Sequence, residues 1–79
     1  MPISCLFFGA TADITAKRQI EIESAAAVSA REIFDQLMTD YPRLASHRLL
    51  FSINQQYSNG DEIVHDGDEL AVFTAVSGG

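Results

Sequence analysis

The chain reads as an α+β domain in which one main helix packs on one face of a mixed β-sheet. Three observations predict this. One amphipathic stripe with a capping signature lies over residues 30 to 40, and short strand-like runs flank it on both sides. The 79 residues suffice for one core and no second helical layer.

Ile3-Ser4-Cys5-Leu6-Phe7-Phe8 is rich in strand formers and stops at Gly9, a turn signal. Residues 10 to 17 are small and polar, which predicts a short connection. Gln19-Ile20-Glu21-Ile22-Glu23 alternates polar and apolar with the period of a half-buried strand, so the first two strands should form an antiparallel hairpin.

Ser29 and Glu32 then make an S-x-x-E capping box, with Val28 and Ile33 placed as a hydrophobic staple around it. Ile33, Phe34, Leu37, Met38 and Tyr41 recur at three- and four-residue spacing and lay one stripe on a core. Pro42 disfavours helical geometry at its predecessor and ends the helix.

Residues 42 to 48 read as a basic, irregular stretch, followed by a third strand over Leu49-Leu50-Phe51-Ser52-Ile53-Asn54. Gln55 to Asp61, with its Asn59-Gly60 pair, reads as turn or loop. Ile63-Val64 is a short strand, Asp66-Gly67-Asp68 a turn, and Leu70-Ala71-Val72-Phe73 the last strand. The order ββαβββ fits a β-grasp, or ubiquitin-like, arrangement with short connections. Residues 1–79 make a single domain, with 74–79 as a flexible C-terminal tail.

Strand alternation sorts the apolar residues by face. If Ile3, Cys5, Phe7, Leu49, Phe51, Ile53, Leu70 and Val72 face the helix, then Leu6, Phe8, Leu50, Ala71 and Phe73 collect on the uncovered face. Exposed apolar residues scattered singly are ordinary. Two phenylalanines on one bare face favour a partner-binding patch.

Composition excludes several functions. One cysteine forbids an internal disulfide and any thiolate-built zinc or iron–sulfur site, in keeping with a reducing compartment. Net charge is −6, so nucleic acid is not an expected partner. The first apolar run is too short to span a bilayer or serve as a signal core, so the expected location is cytoplasmic, without a membrane partner.

No catalytic constellation is visible. His47 and His65 are isolated, Ser4, Ser52 and Ser77 lack a nucleophile elbow, and Cys5 falls on the core face, where thiols are inert. Asp61, Glu62, Asp66, Asp68 and Glu69 lack calcium-loop spacing and read as a solvated acidic loop. No metal and no bound cofactor are expected.

What remains is Gly78-Gly79, preceded by the small, uncharged Val76 and Ser77. Such a tail fits a channel too narrow for any Cβ and delivers a main-chain carboxylate. At average glycine usage two terminal glycines arise by chance in roughly 0.5% of chains. A carboxylate becomes an acyl donor when ATP-dependent adenylation supplies a leaving group, and a sulfur nucleophile then yields a thiocarboxylate. The ATP site and the attacking groups would belong to a partner.

With Leu6-Phe7-Phe8-Gly9 near the start, Asp66-Gly67-Asp68-Glu69-Leu70-Ala71-Val72-Phe73 before the tail and Ser77-Gly78-Gly79 at the end, the chain resembles the MoaD family, the small subunits of molybdopterin synthase. The likeness runs the whole length and includes Ala12-Asp13-Ile14-Thr15, Tyr41-Pro42-Arg43-Leu44-Ala45 and Ile53-Asn54-Gln55-Gln56-Tyr57.

The resemblance implies a β-grasp sulfur carrier in molybdenum cofactor biosynthesis that is not an enzyme on its own. Gly79 would be adenylated by an ATP-using activating enzyme and thiocarboxylated with a sulfurtransferase. The tail, through Val76, Ser77 and Gly78, would thread into a large subunit of a heterotetrameric synthase. There sulfur would pass to cyclic pyranopterin monophosphate (precursor Z). Phe8 and Phe73 match docking-face positions of the family. A ThiS-like or ubiquitin-related carrier, serving thiazole synthesis or tRNA thiolation, would use Gly79 in the same way. An interaction module with an incidental diglycine is the reading of another class. One departure stands out: Thr74 and Ala75 occupy positions where the family commonly has two prolines, which should loosen the exit of the tail.

Overall fold

The computed structural model describes residues 2–23 and 27–75. Along the chain run β1 (Ile3–Phe7), α1 (Ala10–Thr15), β2 (Gln19–Ile22), β3 (Val28–Ser29) and α2 (Ala30–Asp40). A 3₁₀ turn (Pro42–Ser46), β4 (Leu49–Ile53), β5 (Gln56–Tyr57), β6 (Ile63–Val64) and β7 (Glu69–Thr74) follow. Five strands form one mixed sheet in the order β2-β1-β7-β4-β5, and β3 pairs with β6 in a separate ribbon. The first and last long strands lie parallel at its centre, with β2 antiparallel to β1 and β4 antiparallel to β7. With α2 on one face, this is the expected β-grasp.

The core forms where alternation puts it. Ile3, Cys5 and Phe7 of β1 and Leu70 and Val72 of β7 are buried against Ile33, Phe34 and Leu37 of α2. Leu49, Phe51 and Ile53 of β4 pack against this cluster half-buried. Phe34 stacks on Phe51 with ring centroids 3.7 Å apart, and Phe7 meets Tyr41 edge-on at 6.1 Å. Full burial of each such side chain contributes about 1.5–3 kcal/mol.

Helix α2 begins and ends at its expected bounds. The Ser29 hydroxyl accepts from the Glu32 N–H at 3.3 Å, satisfying an orphan donor of the first turn. At the other end the Tyr41 N–H donates to the Leu37 carbonyl at 2.8 Å, and Pro42 follows.

Five segments differ from expectation, the first being Val28–Ser29, read only as staple and cap of the helix, which forms β3 and pairs with β6. Residues 10 to 15, read as connection, form the short helix α1, held by tertiary hydrogen bonds of Thr11 and Thr15 in place of any periodic stripe. The stretch after Pro42 is a 3₁₀ turn, because proline suits a first helical position and Leu44 is buried completely in the core. Within the expected loop, Gln56–Tyr57 pairs with β4 through a two-residue turn whose Asn54 and Gln55 have φ of 49° and 71°. Two positive φ values make the turn that matches strand twist. The last strand runs to Thr74, a residue assigned to the tail, since Thr74 pairs with Leu49.

A small polar knot sets where β7 starts. Asn54 donates through Nδ2 to Asp68 Oδ1 at 3.1 Å and accepts at Oδ1 from the Glu69 N–H at 3.0 Å. The Asn54 N–H donates to the Glu69 carbonyl at 2.7 Å. Asp68 Oδ2 accepts from the His65 N–H at 2.9 Å. Glu62 likewise accepts from the Ser58 hydroxyl and the N–H groups of Gly60 and Asn59, at 2.8, 3.1 and 3.2 Å. These two carboxylates of the acidic segment therefore serve as turn acceptors.

The His65 N–H, then the Asn54 amide, hold the Asp68 carboxyl below its ordinary value of 3.8. A depressed folded value gives stability that is fully present above the unfolded value and lost as pH falls through the folded one. Urea unfolding measured at stepped pH should therefore show stability falling as pH drops through and below 3.8. Asp68→Asn, which does not titrate there, should flatten that limb; an unchanged slope would contradict the assignment.

Candidate functional site

The sheet face opposite α2 is built from two cross-strand rows. In the first, Leu6 stands opposite Ala71, Ala71 opposite Ser52, and Ser52 opposite Tyr57. In the second, nearer the tail, Phe73 stands opposite Leu50. The parallel register carried on by one residue sets Phe8 on the other side of Phe73, and the Phe8 N–H donates to the Val72 carbonyl at 3.1 Å. A third row is polar: Ser4 stands opposite both Glu21 and Glu69 and ends the patch.

The rows bring together all five residues assigned to the bare face. Phe8 is 51% exposed and Leu50 36%, while Leu6 and Phe73 are half-buried. Ala71 departs from expectation. It faces outward yet is only 8% exposed, because its single methyl lies between the longer side chains of its neighbours. It is the floor of the patch.

Tyr57 is an addition that sequence reasoning missed. It is 75% exposed, and its ring lies 6.1 Å from that of Phe73 at a 47° tilt. The signal lay in Asn54-Gln55: a two-residue turn there places Tyr57 opposite Ser52, on the patch side.

Local geometry holds Phe8 in place. Gly9 follows with φ 59° and ψ −129°, the mirror image of extended backbone, open to glycine and strained for other residues. Thr11 on α1 is completely buried, and its hydroxyl lies 2.7 Å from the Phe8 carbonyl and 2.8 Å from that of Val72. Thr15 Oγ1 lies 3.0 Å from the Thr11 carbonyl and 3.1 Å from that of Lys17, tying both ends of α1 down. Helix α1 thus clamps the end of β1 to β7 at the level of the two phenylalanines.

The path toward the tail is also firmer than the missing prolines imply. The Ala75 N–H donates to the Arg48 carbonyl at 3.0 Å, extending the β4–β7 ladder past Thr74. A proline at 75 would have no N–H for this bond. Strand pairing holds the chain here where a stiff ring would do so elsewhere. Val76, Ser77, Gly78 and Gly79 lie outside the described residues.

Burial pushes the Cys5 thiol up to about 12, which leaves it protonated and unreactive. His47 and His65 are exposed. Among the described residues, no three His, Cys, Asp or Glu side chains are placed to hold a metal ion, and no helix is long and apolar enough to cross a membrane. The arrangement offers recognition, an apolar face continuous with the strand that leads to the tail.

The sequence matches the ThiS family over residues 5–79. It is 33% identical over 82 residues to the molybdopterin synthase sulfur carrier subunit of Mycobacterium tuberculosis, an alignment covering 98% of this chain and 96% of that one. The fold is similar to that of the putative molybdopterin converting factor subunit 1 of Pyrococcus furiosus, with a TM-score of 0.86 and 17% identity, over 96% of this chain and 99% of that one. It is also similar to a chain from the protein–protein complex of subunits 1 and 2 of the Helicobacter pylori molybdopterin-converting factor, with a TM-score of 0.70, 20% identity and all of both chains covered.

The clamp has a measurable consequence. Thr11→Val removes a buried hydroxyl from two carbonyls that keep their backbone donors, and should cost about 1–2 kcal/mol in urea unfolding. Thr11→Ser keeps the hydroxyl and should recover part of that loss. Full stability in Thr11→Val together with a loss in Thr11→Ser would show that the methyl group's packing, not the hydrogen bond, matters.

Proposed function

The chain belongs to the ThiS family, and within it we propose that this protein is a sulfur carrier whose Gly79 carboxylate is the functional group. The observation that carries this reading is the continuity of β7. It runs from the Phe8–Phe73–Leu50 patch to Thr74, and the Ala75 N–H carries its pairing one residue further, leaving four small residues before the carboxylate. Four extended residues reach at most about 14 Å, enough to enter a partner's site while the patch stays docked.

In the first step the Gly79 carboxylate attacks the α-phosphate of ATP on an activating enzyme, and pyrophosphate leaves. A hydrosulfide-level donor, supplied through a sulfurtransferase, then attacks the acyl carbon and expels AMP, leaving the thiocarboxylate. In the second step the domain docks on the large subunit of molybdopterin synthase through Phe8, Phe73, Leu50 and Tyr57, over the Leu6–Ala71 floor. Val76, Ser77 and Gly78 offer a narrow approach, and sulfur passes to precursor Z. Hydrolysis of the acyl group regenerates the carboxylate. The domain contributes recognition and reach, and the ATP site and the acid–base groups belong to its partners.

The relatives named molybdopterin synthase sulfur carrier subunit favour this acceptor. The same chemistry at Gly79 would serve thiazole synthesis or tRNA thiolation, so the docked partner decides between the acceptors. Binding to a molybdopterin synthase large subunit is expected to exceed binding to a thiazole synthase.

Two outcomes are expected. Incubation with the activating enzyme, ATP and a sulfur donor should exchange one oxygen for sulfur at Gly79 in the intact mass, and removal of Gly78 and Gly79 should abolish this. If the exchange never appears, or the truncated chain retains full biological activity, the reading fails. Phe73→Ala and Phe8→Ala should each weaken large-subunit binding by about 2 kcal/mol, roughly thirtyfold in Kd, measured by calorimetry.

A further inference from the structure

A second surface lies on the side of β1 away from β7. β2 is an edge of the five-stranded sheet, paired among the described residues with β1 alone. The Phe7 N–H donates to the Arg18 carbonyl at 2.9 Å, and the ladder alternates from that pair. Ile20 and Ile22 therefore spend their main-chain groups on β1, while those of Gln19 and Glu21 point out of the sheet. The other edge, β5, is two residues long.

Beside the β2 edge runs an open groove of about 350 Å³ between the strand and α2. Its floor is apolar, made by Ile20, Ile22, Ile33 and Leu37. Both rims are acidic or amide-bearing. Glu21 and Glu23 stand on the strand side; Glu32, Gln36 and Asp40 follow at four-residue spacing on α2, with Gln36 Nε2 donating to Asp40 Oδ1 at 3.0 Å.

We propose that this groove binds an extended, basic segment of a partner protein, added to the sheet as a sixth strand along β2. Open ladder groups supply main-chain hydrogen bonds to such a strand, and side-chain pockets select its alternate residues. Residues of the added strand that face α2 fall over the Ile20–Ile22 floor and must be apolar. The intervening residues fall beside Glu21 and are favoured when basic. Charge complementarity decides the occupant. A second copy of this chain carries the same glutamates and a net charge of −6, so edge-to-edge self-pairing sets like charges together.

The test uses the full-length chain and an alternating peptide, acetyl-Lys-Ile-Arg-Val-Lys-Ile-Arg-amide. Its control has the same composition with the three apolar residues contiguous. Titration followed by amide chemical shifts should perturb Gln19 to Glu23 and the Glu32–Asp40 side of α2. Glu21→Pro removes an outward N–H without touching the bonds to β1, and should raise Kd about tenfold or more. Glu32→Lys with Asp40→Lys, on the exposed helix surface, should do the same while leaving sulfur loading at Gly79 unchanged. Three results overturn the proposal: no binding of the alternating peptide, equal binding of the control, or shifts centred on Phe8 and Phe73. Should Glu21→Pro fail to fold, the double charge reversal on α2 decides alone.

Discussion

The parallel pairing of β1 with β7 is the interaction on which the rest depends. It joins residues near the two ends of the chain, Ser4 with Glu69 through Phe7 with Val72, at the centre of the sheet. It costs the closure of nearly the whole chain as one loop, a cost that grows only slowly with length. In return it buries Cys5, Phe7, Leu70 and Val72 under α2. On the opposite face the same register sets Phe8 beside Phe73. A shift of one residue would turn every side chain of β7 to the wrong face, removing core and patch together.

Several devices guard that register. At the start of β7, the Asn54 amide donates to the Asp68 carboxylate, and both side chains accept from turn backbone N–H groups. Near its end, the Thr11 hydroxyl reaches the carbonyls of Phe8 and Val72 from α1. Beyond it, the Ala75 N–H still holds the Arg48 carbonyl. Strand β7 is thus fixed at both ends by polar contacts and along its length by apolar ones. Ala75 is thereby anchored to the sheet, and a small acidic protein gains precision at that point.

The sheet separates its tasks by direction. One face is spent on the core, the other on the apolar patch, and the β2 edge with its acidic groove remains free of both. Buried Cys5 shows the cost of the first role, since the surroundings that stabilise the fold keep its thiol protonated. The apolar residues of the patch and those of the groove lie on different elements, so each set is open to variation without the other.

Much of this was legible in order along the chain, because hydrophobic period and capping are local. Alternation in Ile3–Phe8 and Leu70–Phe73 sorted core from surface, and Ser29 with Glu32 marked the helix start at its observed place. The same local rules missed α1, β3, the 3₁₀ turn at Pro42, β5 and the reach of β7 to Thr74. Those segments are short, and their partners lie in other elements: Thr11 meets Val72, Gln56 pairs with Ile53, Thr74 with Leu49, and Ala75 bonds to Arg48. By itself, then, the sequence determined which residues are apolar, which face each takes, and that Gly78 and Gly79 have no side chains. Only the tertiary structure decided that Leu6, Phe8, Leu50, Phe73 and Tyr57 form one surface over buried Ala71, and that pairing stiffens the chain where proline is absent. Side-chain period is written residue by residue, whereas adjacency across strands depends on register, which closes only when the whole sheet does.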